Sequence, residues 1–262
     1  MRMGVIAAAA LSLLLAACVT PEVAPSSVVR ELAPTGKLRV AINYGNSVLA
    51  QRGPSLSEPR GVSADLAREL AKRLQVPIEF VSYEGAGRVT ADATKNAWDV
   101  AFVARDPKRA EDITFTDAYV IIEGGYLVPA GSPLQAIDDV DRDGVQIVVA
   151  RGSAYDLFLS RLLKRATLVR APTPREQMEY FATGKYDGTA GVKPPLVEYA
   201  RSHPGLRVLP GRFMVIEQAM ATPRGRPTAA KYLAEFVDEM KASGFVAMSL
   251  EKSGQKDAAV AP

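Results

Sequence analysis

The chain has 262 residues, 48% hydrophobic and 23% charged, with 20 Gly and 18 Pro. This is a globular composition, which excludes wholesale disorder and collagen-like or low-complexity classes. Lys and Arg number 32 against 29 Asp and Glu, too even a balance for a nucleic-acid footprint. A single Cys and a single His exclude an internal disulfide and argue against a Cys/His zinc site or a Cys/His dyad. No metal, cofactor or nucleic acid is therefore expected. The one His, His203, sits in Ser202-His-Pro-Gly205, a turn sequence that predicts a solvated position.

The first segment reads as an address. Arg2 precedes an apolar run over 4–17, which is shorter than the roughly 20 residues a membrane-spanning helix needs and has the pattern of a secretory signal. Leu15-Ala-Ala-Cys18 resembles the bacterial lipoprotein box. The resemblance implies cleavage before Cys18, lipidation of its thiol and a membrane anchor, with residues 1–17 removed. Two or more acyl chains hold stably at about 0.8 kcal/mol per buried CH₂. Residues 18–35 carry Pro21, Pro25 and Pro34 with Ser26 and Ser27 and are expected to be an extended tether, on the order of 60 Å at about 3.3 Å per residue.

The folded part opens with a strand over 38–42. A helix is predicted over 63–74, capped by Ser63, with Asp65 in its first turn and Lys72 and Arg73 in its last. Leu66, Leu70 and Leu74 form its apolar stripe. A strand over 77–81, a helix over 88–97 and a buried strand over 98–103 follow. This βαβαβ alternation marks a doubly wound sheet. After a long extended run over 119–129 the alternation restarts, with strands over 145–150, 168–170 and 187–191 and helices over 154–165, 174–183 and 195–202. A second extended run covers 213–221. The last helix, 227–243, presents Leu233, Phe236, Val237 and Met240 on one face and stops at Gly244. Two α/β units joined by two extended segments are thus expected, with the last helix returning to the first unit. Gly85-Ala-Gly87 and Gly124-Gly125 lack phosphate-loop spacing and read as turn and hinge positions.

The order Gly36-Lys-Leu-Arg-Val40, Gly61-Val-Ser-Ala-Asp-Leu-Ala67, Trp98-Asp-Val-Ala-Phe102, Asp106-Pro-Lys-Arg109 and Phe115-Thr-Asp-Ala-Tyr119 resembles the periplasmic solute-binding proteins of polar amino-acid ABC transporters, family 3. The second half continues the resemblance with Asp138-Asp-Val140, Arg151-Gly-Ser153, Gly184-Lys-Tyr-Asp187 and Met240-Lys-Ala-Ser-Gly244. It covers residues 36–254. It implies an α/β fold of the two-lobe, type II periplasmic-binding-protein kind, each lobe a doubly wound sheet, with two hinge strands. Lobe 1 would be 36–124 with 217–254, lobe 2 would be 125–216, and 255–262 a tail. A monomer is expected, lipid-anchored in the periplasm, closing on a small solute and docking on an inner-membrane ABC permease.

The resemblance also implies a site. Arg109 matches the family arginine that grips a ligand carboxylate, where a planar fork suits two oxygens. Ser153 matches the Gly-Ser/Thr ligand loop at a helix start. Tyr155 would line the cleft or cover the helix. Asn43, Tyr44 and Asn46 follow the first strand, and Asn46 stands where the family packs an aromatic on the ligand. Ala101, Phe102 and Ala104 replace the small hydroxyl residues many members carry, leaving backbone groups to serve. Five residues after Asp187, where the family places an acid for the ligand's ammonium, the chain has Val192 and then Lys193. An anion-biased cleft of Arg109, Ser153 and Lys193 would favour an organic acid or an acidic amino-acid derivative. Glu123 and Glu217, on the two hinge runs, would be hinge hydrogen-bonding groups or, alternatively, partners for a cation. A binding protein rather than an enzyme is expected. The alternatives are a ligand-sensing envelope protein without transport and a periplasmic lyase or dehydratase on the same fold.

Overall fold

A computed structural model of the protein describes residues 24–55 and 58–262. The signal over 1–17, Cys18 and the start of the tether lie outside the described residues. The rest of the tether does not stay extended. Residues Ser26–Leu32 form a helix, α1, which lays Val28 and Leu32 into the main core. The prolines flank this turn of chain without interrupting it.

Next come β1 (Leu38–Asn43), α2 (Val62–Leu74), β2 (Ile78–Tyr83), α3 (Ala86–Ala91) and β3 (Val100–Ala104). β1 pairs in parallel with both β2 and β3, as helical crossovers require. Along β1, Leu38, Val40 and Ile42 face one helical layer while Ala41 faces the other, the two-sided burial of a sandwiched parallel strand. Gly61 precedes α2 with φ 98°. A Cβ there would stand 2.5 Å from the Leu49 carbonyl oxygen, so only glycine fits. Ser63, expected as the cap, lies inside α2 instead. Its hydroxyl hydrogen-bonds the Tyr119 hydroxyl at 3.2 Å. The predicted helix over 88–97 is shorter, with a separate 3-10 turn over Ala93–Lys95.

β4 (Ile113–Pro129) is 17 residues long and belongs to both halves. Then follow β5 (Gln146–Ala150), α4 (Ala154–Leu162), β6 (Thr167–Ala171), α5 (Pro174–Ala182), β7 (Gly188–Val192), α6 (Lys193–Ser202) and β8 (Leu206–Val208). β9 (Met214–Pro223) returns to the first half, and α7 (Pro227–Ala242), α8 (Phe245–Lys252) and β10 (Ala259–Val260) complete it. The strand order is β2-β1-β3-β9-β4-β7-β5-β6, with β8 and β10 also on β4. The ladder between β4 and β9 runs from Ile113–Pro223 to Gly124–Met214. It is the double-stranded connection between two α/β lobes.

Lobe 1 holds the larger core, where α2 and α7 press Leu66, Leu70, Phe236 and Val237 onto β1, Phe102 and Tyr119. On the other face Trp98 is fully buried and donates from its indole nitrogen to the Val89 carbonyl at 3.0 Å. Gly244 does end α7, but with φ 77° it turns the chain straight into α8. The supposed tail is folded as well. β10 pairs with β4, and the Ala261 amide donates to the Tyr119 carbonyl. In lobe 2, Tyr126, Val149 and Leu159 pack on one side of the sheet and Val148, Phe181 and Leu196 on the other. Asp187 accepts the Gln146 amide at 2.8 Å and fixes the start of β7, as its place at a strand end suggests.

Candidate functional site

Lobe 1 contributes the loops after β1 and β3, and lobe 2 the N-terminal end of α4. After β3 the chain turns at Asp106, whose carboxylate accepts the Lys108 amide at 2.8 Å. This side-chain-to-backbone turn starts the short 3-10 helix Arg109–Glu111 and aims Arg109 into the interlobe cleft. Only 3% of Arg109 is exposed. Its Nη1 donates to the Ala104 carbonyl at 2.8 Å and its Nη2 to the Gly152 carbonyl, across the cleft, at 2.9 Å. A guanidinium has five N–H donors, and these two contacts use two of them. The buried Nε has no partner. Burial pulls this guanidinium down to about 10, against the opposing pull of Asp106. It remains a cation at neutral pH, and a desolvated one.

Across the cleft, Gly152 has φ 69°, and a Cβ there would lie 2.8 Å from the Cα of Gly87 in lobe 1. Glycine lets the two backbones meet. Ser153 caps α4, its hydroxyl oxygen accepting the Asp156 amide at 3.0 Å. Asp156 reaches back to accept the Gly152 amide at 2.8 Å. Because α4 begins at Ala154, the amides of Ala154 and Tyr155 have no intrahelical acceptor, and the positive end of the helix faces the cleft. A second cross-lobe contact lies nearby, where Arg161 of α4 donates to the nearly buried Asp106 carboxylate at 2.8 Å.

These elements enclose a cavity of about 40 Å³. Asn43, Asn46, Ala104, Arg109, Ser153 and Tyr155 all line it. Asn43 and Asn46 use their side-chain oxygens to accept the Gly45 and Val48 amides, which shapes the loop and leaves their NH₂ groups as donors. Tyr155 is pinned. Its hydroxyl donates to Gln177 at 2.8 Å, and Gln177 donates to Thr189 and to the Ala190 carbonyl, each at 2.6 Å. Burial pushes the Tyr155 phenol well above its usual range.

Two of the expected residues are placed elsewhere. Tyr44 lines an adjoining groove of about 500 Å³, with the Arg52 guanidinium 4.5 Å above its ring. Lys193 is outside the cavity. Its ammonium donates to Glu123 at 2.7 Å, and Arg212 donates to the same carboxylate at 2.8 Å. These two cations hold the Glu123 carboxyl below its ordinary value. Glu217 faces outward, 3.8 Å from Arg105. Neither hinge acid faces the cavity.

Six lining residues are not expected from the sequence: Gly45, Ala86, Ala154, Pro174 and, on β9, Ile216 and Gln218. Gln218 is buried and stands opposite Ala104 in the β3–β9 ladder. Alternation held the signal, since Val215 and Glu217 are exposed while Ile216 and Gln218 are not. A larger groove of about 660 Å³ surrounds Arg60, Arg68 and Lys252 on lobe 1. Among the described residues it shares none with the cavity and has no buried cation.

Two α/β lobes on a double-stranded hinge, closed over a buried cation, define a ligand-binding clamp. The family model of the bacterial extracellular solute-binding proteins, family 3, matches residues 38–256, and the chain belongs to that family. It is similar to the glutamine-binding protein of Geobacillus stearothermophilus, 19% identical over 198 residues, covering 74% of this chain and 75% of that one. Among solved structures it is similar to a solute receptor for L-cysteine of Neisseria gonorrhoeae, with a TM-score of 0.75 and 20% identity over 87% of this chain and 93% of the other. It is also similar to the ancestral amino acid-binding protein AncCDT-1, a precursor of cyclohexadienyl dehydratase, with a TM-score of 0.72 and 21% identity, covering 87% and 99%. At such identities the structural likeness establishes the fold, the type II periplasmic-binding-protein architecture. No helix among the described residues is long and apolar enough to cross a membrane.

Proposed function

We propose that the protein is the membrane-tethered, extracytoplasmic solute-binding component of an ABC transporter, and that it captures a small carboxylate-bearing solute by closure of its lobes. The observation that carries this reading is the buried Arg109 guanidinium between the lobes, with an unpartnered Nε. A desolvated cation with free donors stabilises an anion strongly, and its planar fork matches a carboxylate. The first turn of α4 adds amides with no intrahelical acceptor. The relatives bind glutamine and L-cysteine by name, and both solutes carry a carboxylate.

In this reading Cys18 carries the lipid, the mature chain works as a periplasmic monomer, and the closed form docks on an inner-membrane permease. Binding is favoured over catalysis by the relatives, a glutamine-binding protein and a solute receptor for L-cysteine. Thermal unfolding against amino acids, hydroxy acids, keto acids and dicarboxylates tests the proposal. A true ligand at 100 times its Kd adds about 2.7 kcal/mol of stability, a rise of several degrees in Tm. No shift with any carboxylate would contradict the proposal and favour a scaffold or sensor that binds no small acid.

A further inference from the structure

We propose that the solute of the Arg109 cavity is a small carboxylic acid that carries no ammonium group, such as a hydroxy or oxo acid. This rests on the reading of Arg109 as a carboxylate site. Arg109 is the only charged residue among the described residues that line the cavity. Beyond the Asn, Ser and Tyr side chains already placed, the wall is formed by Val192, Ile216, Ala86, Ala154 and Pro174, with the single amide of Gln218.

An ammonium group buried here would meet a guanidinium and no counter-charge, which is the costly arrangement for a buried ion. The nearby acids are already occupied. Asp106 accepts from Lys108 and Arg161. Asp156 accepts the Gly152 amide and pairs with Arg170 at 2.9 Å. Glu123 holds Lys193 and Arg212. The adjoining groove has Glu84 as its one acid among the described lining residues, and Arg52 pairs with it while Arg175 lines the same groove. A hydroxyl or oxo group makes no such demand. The Gln218 amide both donates and accepts, so it suits either group, and Val192 and Ile216 bound the space beside it. The amine-free acid is thus the charge-balanced guest, one carboxylate for one guanidinium.

Titration calorimetry on the purified protein with matched monocarboxylate pairs tests this: L-lactate and L-alanine, glycolate and glycine, 2-oxoisovalerate and L-valine. The proposal expects at least one hydroxy or oxo acid to bind at least tenfold more tightly than its amino partner, with that binding lost in Arg109→Ala. Val192→Asp places a carboxylate on the wall and should shift the ratio toward the amino acid. An amino acid that binds as tightly as its partner or more so, with Arg109→Ala abolishing the binding, overturns this inference and leaves the carboxylate site standing. Silence across all three pairs, or binding undiminished in Arg109→Ala, overturns both. A folded Val192→Asp protein with an unchanged ratio also overturns it, because Val192 would not then face the bound solute. The wild-type ratio decides the matter even if that variant does not fold.

Discussion

Lobe 1 and lobe 2 share one architecture and divide the labour unequally. Lobe 1 is assembled from both ends of the chain. α1, α7, α8 and β10 all pack on it, and the buried Asp99 accepts from Arg39 at 2.9 Å and from Arg226 at 2.8 Å, tying distant segments together. Lobe 2 is a single continuous stretch with a smaller core. The lobe with more long-range stitching carries the charge, Arg109. The simpler lobe presents backbone groups, the Gly152 carbonyl and the first turn of α4. A charged fork must be held in position to be specific, and Arg109 sits on the lobe tied together from both ends of the chain.

The sharpest way to break this contrast is at the N-terminal helix. If α1 belongs to the platform, Leu32→Ala should cost about 2–5 kcal/mol of lobe 1 stability, read as a drop in the denaturant midpoint. A loss under about 0.5 kcal/mol, the size of an exposed substitution, would return the segment to the status of a tether. Next in size is Gly152→Ala. In this closed arrangement its Cβ would lie 2.8 Å from the Gly87 Cα of the other lobe, so it should weaken ligand affinity by on the order of 1–3 kcal/mol, roughly 5- to 150-fold. Unchanged affinity would mean that the lobes close differently. Arg161→Ala removes a cross-lobe pair whose Arg is half exposed. It should cost about 0.2–1 kcal/mol of closure, seen mainly as faster dissociation in stopped flow. Smallest is Lys193→Ala, since Lys193 faces Glu123 at the hinge. Affinity should change by less than about twofold, well under the 1.4 kcal/mol of a tenfold effect. A larger loss would put its ammonium back in the cleft.

Much of this division could be read in the sequence. The stripe of Leu66, Leu70 and Leu74 and the run 38–42 have strong periodicity, and the structure places α2 and β1 there. α1 was obscured because its flanking prolines read as tether, although Val28 and Leu32 already sit at i and i+4. β10 is two residues long, below what any pattern can reveal. For the site, motif order brought Asn43, Asn46, Ala104, Arg109, Ser153 and Tyr155 to one cavity. The family resemblance, counted from Asp187, puts Lys193 in the cleft, but Glu123 lies 70 positions earlier and meets it only in the folded chain. Gln218 was hidden beside the more conspicuous Glu217, and only the pleat of β9 separates their faces. Local patterns show which faces are apolar. They do not show which distant charges will meet.

The most direct test of the central claim is calorimetric titration of the tightest-binding carboxylate into the wild-type protein, Arg109→Ala and Arg109→Lys. Loss of the buried charge-assisted contact should cost roughly 1.5–3 kcal/mol, about 10- to 150-fold in affinity. Lys should recover only part of it, because an ammonium cannot present the planar fork. Binding that survives intact in Arg109→Ala would contradict a clamp built around this guanidinium.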